Sequence, residues 1–317
     1  MMKLAAVFPG QGSQTVGMGR ALFDAFCVAR ELFERADDAL GYSIKKLCFE
    51  GPYEELTATE NTQPAIYLVS YAAWACFREA VGDPGWTAAA GHSLGEYSAY
   101  AAAGALSFED GLRLVRRRGE LIRDASAKNP GTLAAVIGLE EDAILKLIPE
   151  ARGAGRVELA TVNAPNQMVV GGEVPGLERF VELAKGAGAK RAVLLNVSGP
   201  FHTSLVKDAA IALTGELARY TFNRPKFPVA TNVTGKPVDE MDEIPQTLAR
   251  QVAEPVLWLA DAQYLEKLGV ELAVEFGNGN VLAGLLKRCA PGIRVLGVGD
   301  PASLESTRAE LVALGLI

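Results

Sequence analysis

Trp86-Thr87-Ala88-Ala89-Ala90-Gly91-His92-Ser93-Leu94-Gly95-Glu96-Tyr97-Ser98-Ala99-Tyr100-Ala101-Ala102-Ala103 is the stretch whose reading decides the fold. Trp86 to Ala90 is short and apolar, as a buried strand is. Glu96 to Ala103 reads as a helix. Between them Ser93 has a glycine two positions away on each side. Strand, sharp turn and helix form the context of a nucleophile elbow: the glycines admit the turn, and the hydroxyl sits at a helix N-terminus. Free N–H groups and the helix dipole favour negative charge there. The pattern is short, and a glycine-rich turn without chemistry has the same letters.

Outward from the elbow, strands alternate with helices. Residues 4–8 read as a strand and 18–40 as largely helical. Residues 62–81 predict a long helix with Pro64 in its first turn, where a missing N–H is tolerated. Ser107 with Asp110 three positions on is an N-cap pattern, opening a helix to about residue 127. From Asn129 the texture changes. Strand 132–139, helix 141–151, strands 157–162 and 167–171, helix 177–186 and strand 191–197 give the order βαββαβ, the ferredoxin-like split unit. The larger pattern then resumes with helix 204–220, strand 227–232, helices 245–252 and 259–267, strand 271–276, helix 280–289, strand 293–298 and a final helix. The chain is therefore expected to be α/β, with residues 1–128 and 198–317 forming one domain and 129–197 a small inserted one. Ligands are expected in the crevice between them, beyond the carboxyl ends of the parallel strands.

A serine nucleophile needs a base. The chain holds two histidines. His92 adjoins Ser93 in the elbow, so its ring is expected to point away from the hydroxyl. His202 is the free one, in Ser198-Gly199-Pro200-Phe201-His202-Thr203-Ser204, where the small domain returns to the large one. The plain alternative is a loop histidine capping the following helix. No acid stands out as a third member, and a backbone carbonyl can orient an imidazole instead.

Arg116-Arg117-Arg118 has the look of a solvated charge run, but helical geometry separates its members. Arg118 has Leu114, Val115, Leu121 and Ile122 one turn away, and so lies on the apolar face. A guanidinium there requires a partner. Two fit: a carboxylate of the protein, or a substrate carboxylate held bidentately. The loop Phe8-Pro9-Gly10-Gln11-Gly12-Ser13-Gln14 is neither a P-loop nor G-x-G-x-x-G. Beside a nucleophile, such a strand-end loop can bring one N–H to an oxyanion hole, with Leu94 supplying the other.

Bulk properties narrow the field. At 317 residues, 49% hydrophobic and 22% charged, the chain is long enough for a full core and a second, smaller domain. The net charge of −7 argues against nucleic acid as the main partner. No stretch approaches a bilayer-spanning length, so no membrane association is expected. The apolar run 4–8 is too short for a secretory leader. Cys27, Cys48, Cys76 and Cys289 are scattered without a C-x-x-C pair, which suits reduced thiols in a cytoplasm and disfavours zinc. Neither metal nor cofactor is expected.

Taken together, these motifs resemble those of the malonyl-CoA:acyl carrier protein transacylases, stand-alone acyltransferases of type II fatty acid synthesis. The resemblance spans essentially the whole length. It rests on the Phe8–Gln14 loop, Gly91-His92-Ser93-Leu94-Gly95-Glu96-Tyr97, Arg118-Gly119, Asn163-Ala164-Pro165, Phe201-His202, Gln251-Val252-Ala253-Glu254-Pro255-Val256 and Gly277-Asn278-Gly279. It implies an α/β-hydrolase-like core with a ferredoxin-like insertion. It implies Ser93 as nucleophile, His202 as base and Arg118 as binder of the malonyl carboxylate. Gln11 and the Leu94 N–H would form the oxyanion hole, and the Gln251 carbonyl would orient His202. Phe201 before the base and Leu94 after the nucleophile resemble malonyl-selective rather than methylmalonyl-selective members. Two positions depart from the pattern: Asn278, where relatives commonly carry Pro, and Leu133, where many have Met.

The resemblance implies malonyl-CoA and a phosphopantetheinylated acyl carrier protein as partners, ping-pong transfer through malonyl-Ser93, and fatty acid biosynthesis as the setting. A monomer is expected. Docking an acidic carrier on an acidic enzyme requires a local basic surface. The candidates are Lys190-Arg191 at the small-domain edge, Lys287-Arg288 after the C-terminal helix, and Arg116-Arg117. Two other classes share the motifs. A serine esterase or thioesterase has the same elbow and dyad, and a non-catalytic scaffold could keep the fold while binding carrier protein.

Overall fold

Strand β1 (Lys3–Phe8) is buried on alternate sides: Leu4, Ala6 and Phe8 join one apolar cluster, Ala5 and Val7 another. Apolar on both faces, such a strand belongs in the middle of a parallel sheet covered by helices on each side. The computed structural model describes residues 2–317 and places β1 there. β2 (Trp86–Gly91), β3 (Thr132–Ile137), β4 (Val157–Ala164), β5 (Gln167–Gly172), β6 (Arg191–Leu194), β7 (Val270–Phe276) and β8 (Arg294–Val298) complete the set of strands. One sheet runs β2-β1-β7-β8, all parallel. The other runs β4-β5-β3-β6, all antiparallel, which is the order of a ferredoxin-like unit. The fold is thus α/β, with a parallel sheet and a second antiparallel one.

Register sets the site. Phe8 pairs with Gly91 and Val7 with Glu275, so the loops after β1, β2 and β7 emerge side by side at the carboxyl end of the sheet. Asn278, just beyond β7, donates from Nδ2 to Ser13 O (2.5 Å) and Thr15 Oγ1 (3.0 Å), pinning the glycine loop. The antiparallel sheet has its own core of Ala134, Val136, Ile144, Val170, Phe180 and neighbours. It is stitched to the rest where Val162 N donates to Val256 O (2.9 Å) and Val256 N to Ala160 O (3.0 Å).

Several expected elements differ in detail. The long helix starts at Thr59 and ends at Val81, so Pro64 lies in its second turn. Proline leaves the carbonyl four residues earlier without its helical donor. Arg116 Nη1 fills that gap by donating to Glu60 O (3.0 Å). The helical run 18–40 breaks at Phe26, which is extended between helices Arg20–Ala25 and Cys27–Leu40. Helix 204–220 opens with a 3₁₀ turn, Ser204–Val206, before Lys207–Leu217. The strand expected over 227–232 is reduced to two isolated bridges, a parallel one between Ala89 and Val229 and an antiparallel one between Thr231 and Lys236. Pro228 has no N–H for a ladder; its carbonyl accepts from Ala89 N, and Ala230 N donates to Ala89 O. Strand 191–197 stops at Leu194. Two short helices, Ile44–Glu50 and Tyr53–Thr57, carry no clear signal in the sequence pattern.

Candidate active site

The elbow between β2 and the Gly95–Ala102 helix is too tight for side chains at its glycines. A Cβ on Gly91 would come within 2.0 Å of the Gly95 carbonyl, and one on Gly95 within 2.0 Å of Phe8 O. Ser93 between them has φ 51°, a left-handed conformation costly for a residue with a side chain. Asn232 holds it there. Asn232 Oδ1 accepts from Ser93 N (2.7 Å), and its Nδ2 donates to Gly91 O (2.7 Å) and Asp261 Oδ2 (2.7 Å).

His202 is the second non-glycine residue with positive φ, at 59°. Its N–H donates to Val252 O (3.1 Å), which seats the loop against the end of the Glu243–Gln251 helix. Its Nδ1 lies 2.7 Å from Gln251 O. A carbonyl only accepts, so Nδ1 carries the proton and Nε2 is left as an acceptor. That nitrogen lies 2.8 Å from Ser93 Oγ. Burial, with a contribution from the Arg118 charge, pushes the His202 imidazole down to about 3, so it is neutral over the physiological range. His92 faces away from the hydroxyl and donates from Nε2 to Asn163 Oδ1 (2.8 Å) on β4.

Arg118 is 2% exposed, on the inner face of the Phe108–Lys128 helix. Among the described residues no carboxylate lies within 4.0 Å of it, so the buried ion pair that the sequence allowed is not formed. It donates instead to Gln63 Oε1 (2.6 Å), Gln251 Oε1 (2.9 Å) and Ser93 Oγ (3.0 Å), and its guanidinium lies over the Tyr97 ring. Its Nε is buried without a partner. Ser93 Oγ therefore meets both an uncharged base and a buried cation free of any carboxylate.

Ser93, His202, Arg118, Gln11 and Phe201 all line one cleft of about 710 Å³ between the two sheets. Gly10 presses the glycine loop against the elbow, where a Cβ would lie 2.3 Å from His92 O. Neither Gln11 N nor Leu94 N has a protein acceptor among the described residues. Phe201 packs with Leu133, Ala160 and Val169 on the small-sheet side.

The basic candidates lie elsewhere. Lys190, Arg191, Lys287 and Arg288 are exposed, and none lines the cleft. Lys287 and Arg288 stand in the last turn of the Val281–Cys289 helix and not after the C-terminal helix, which is Pro301–Ala313. Arg288 Nη1 donates to Gln167 Oε1 on β5. Arg116 is engaged with Glu120, Tyr42, Asn61 and Glu60 O, and Arg117 with Glu120 and Glu216, so neither is a free cation.

Four site residues escaped the sequence reading: Gln63, Glu96, Asn232 and Asp261. Each makes a hydrogen bond to a partner tens to over a hundred residues away, which no local pattern signals. Among the described residues no group of three His, Cys, Asp or Glu side chains is placed to hold a metal. None of the described helices is long and apolar enough to cross a membrane.

Fold and site define an acyltransferase, and the acyl transferase domain family matches residues 6–266. The chain is 41% identical over 306 residues to the malonyl CoA-acyl carrier protein transacylase of Bacillus subtilis (strain 168), covering 96% of each. It is equally identical over 306 residues to that of Escherichia coli (strain K12), covering 96% of this chain and 99% of the relative. The chain belongs to the malonyl-CoA:acyl carrier protein transacylases. Among solved structures, the acyl-carrier-protein S-malonyltransferase of Burkholderia pseudomallei 1710b superposes with a TM-score of 0.93 at 43% identity, over 97% of this chain and 100% of that one. A malonyl-transacylase in complex with a type II PKS acyl-carrier protein superposes at 0.94 with 39% identity, over 97% of this chain and 99% of that one.

Proposed function

We propose that this enzyme moves a malonyl group from malonyl-CoA to the phosphopantetheine thiol of an acyl carrier protein, in fatty acid biosynthesis, through a malonyl ester on Ser93. The observation that carries this reading is the convergence on Ser93 Oγ of His202 Nε2 (2.8 Å) and Arg118 Nη2 (3.0 Å). A base alone fits any serine hydrolase. A buried guanidinium without a carboxylate, within reach of whatever acyl group the serine carries, selects an acyl group with its own carboxylate.

Ser93 Oγ gives its proton to His202 Nε2 as it attacks the malonyl thioester carbonyl. The Gln251 carbonyl, at the other end of the ring, stabilises the imidazolium that forms. The Leu94 and Gln11 N–H groups receive the oxyanion, each worth about 3 kcal/mol. Collapse breaks the C–S bond, His202 returns the proton to the leaving thiolate, and CoA departs as a thiol. The carrier thiol then attacks the ester carbonyl, giving its proton to His202, and Ser93 leaves with that proton. Arg118 anchors the malonyl end while the thiols exchange. An acetyl group would leave the guanidinium buried and unpaired, which is the basis for rejecting it.

Residues 1–128 with 198–317 form the catalytic domain in this reading. Residues 129–197 form the small domain, supported by its separate core. Lys190, Arg191, Lys287 and Arg288 are the exposed basic candidates for meeting the carrier; charge reversal at Lys287 and Arg288 raises KM for carrier and spares that for malonyl-CoA. The core reading is tested by mixing the enzyme with malonyl-CoA and weighing the intact protein. One malonyl adduct, mapped to Ser93 and discharged by carrier protein, is the expected result. Release of free malonate with no adduct would identify a hydrolase, and no reaction would identify a scaffold.

A further inference from the structure

Glu96 lies in the first turn of the elbow helix, fully buried, and the mechanism above makes no use of it. Its Oε2 accepts from Gln251 Nε2 (2.6 Å) and Asn232 N (3.1 Å), while Oε1 has no partner. A buried carboxyl held by neutral donors is an expensive way to fill space. Its geometry shows another use. Gln251 Nε2 stands among three acceptors: Glu96 Oε2, Ser93 O (2.8 Å) and Asn232 Oδ1 (3.1 Å). An amide nitrogen only donates, so this cluster fixes the rotation of the amide. The amide oxygen is then turned to Arg118 Nη2 (2.9 Å). A flipped amide would set NH₂ against a guanidinium on one side and oxygen against a carboxylate on the other.

We propose that Glu96 is a specificity-determining positioning residue: it orients the Gln251 amide, which in turn aims Arg118 at the malonyl carboxylate. The inference rests on the reading that Arg118 binds that carboxylate. The dyad depends on the Gln251 backbone carbonyl, and Ser93 N on the Asn232 side chain, which Glu96 reaches only through Asn232 N and the Gln251 amide. Loss of Glu96 therefore erodes selectivity more than it erodes the reactivity of Ser93.

The test compares kcat and KM for malonyl-CoA and acetyl-CoA in the full-length enzyme and in Glu96→Ala, Glu96→Gln and Arg118→Ala. Labelling of Ser93 by an uncharged fluorophosphonate reports the dyad. In Glu96→Ala the malonyl-to-acetyl ratio of kcat/KM falls about tenfold or more, chiefly through KM for malonyl-CoA, while labelling stays within about threefold. Glu96→Gln restores the ratio to within about threefold, because its amide oxygen still accepts. An unchanged ratio, or equal losses for malonyl, acetyl and the label, overturns the proposal. Should Glu96→Ala not fold, Glu96→Asp withdraws the acceptor by one methylene and must lower the same ratio; an unchanged ratio there overturns it too. If Arg118→Ala collapses the ratio and the Glu96 variants do not, this inference alone fails. If Arg118→Ala leaves the ratio intact, the reading of Arg118 has failed and the inference with it.

Discussion

The two walls of the cleft are built differently. On the parallel-sheet side Glu96, Arg118, His202, Asn232 and Gln251 are buried and bonded to one another. On the antiparallel side Leu133, Val169, Leu195, Val197 and Phe201 present apolar surface, with the polar Thr161, Asn163, Asn196 and Ser198 between them. A buried polar network has few acceptable geometries, since any member left unpaired is costly. An apolar wall adapts to shape at small cost. The first wall suits fixing reacting atoms, the second suits accommodating a substrate arm.

The contrast predicts a graded series. Ser93→Ala removes the proposed nucleophile and lowers malonyl transfer by on the order of 10⁴-fold or more, read as loss of both adduct and product. Arg118→Ala lowers malonyl kcat/KM roughly a hundred- to a thousandfold and leaves acetyl transfer far less affected. Equal losses would strip Arg118 of its anchoring role. Asn232→Ala deprives Ser93 N of its acceptor and slows acylation by about ten- to a hundredfold, with a lower Tm. Leu133→Ala, on the apolar wall, alters the malonyl rate by less than about tenfold. A larger loss there than at Asn232 would dissolve the distinction between the walls.

The smallest effect is that of pH. With His202 held at about 3, acylation by malonyl-CoA changes little between about pH 8 and about pH 5.5. An acid limb near 6.5 in the labelling of Ser93 by an uncharged fluorophosphonate would show that the ring is not shielded. The same shift acts on stability. The unfolded chain takes up this proton below about 6.5 and the folded one does not, so His202 destabilises the fold increasingly as pH falls from there towards its folded value.

Much of this was legible in the sequence, and the limits have physical reasons. Ser93 followed from a local turn pattern, His202 from a choice between two histidines, and Arg118 from helical spacing. Both sheets follow from the alternation of elements, whereas Pro64 shows how a long-range donor, Arg116, extends a helix past its local signal. Asn232 lies where a strand was expected, and its work is to hold an elbow 139 residues away. Nothing in the local sequence marks such a residue, because its partners are assembled only by folding. Asn278, noted as a departure from the family pattern, tethers the glycine loop after β1, a role visible only in the folded chain.

The central claim is that Ser93 carries a malonyl ester whose carboxylate is held by Arg118. A crystal structure of the enzyme trapped with malonyl-CoA tests it directly. The account predicts continuous density from Ser93 Oγ to a carboxylate paired with the Arg118 guanidinium. An ester on Ser93 with its carboxylate turned to solvent, and Arg118 still bound only to Gln63 and Gln251, would contradict it.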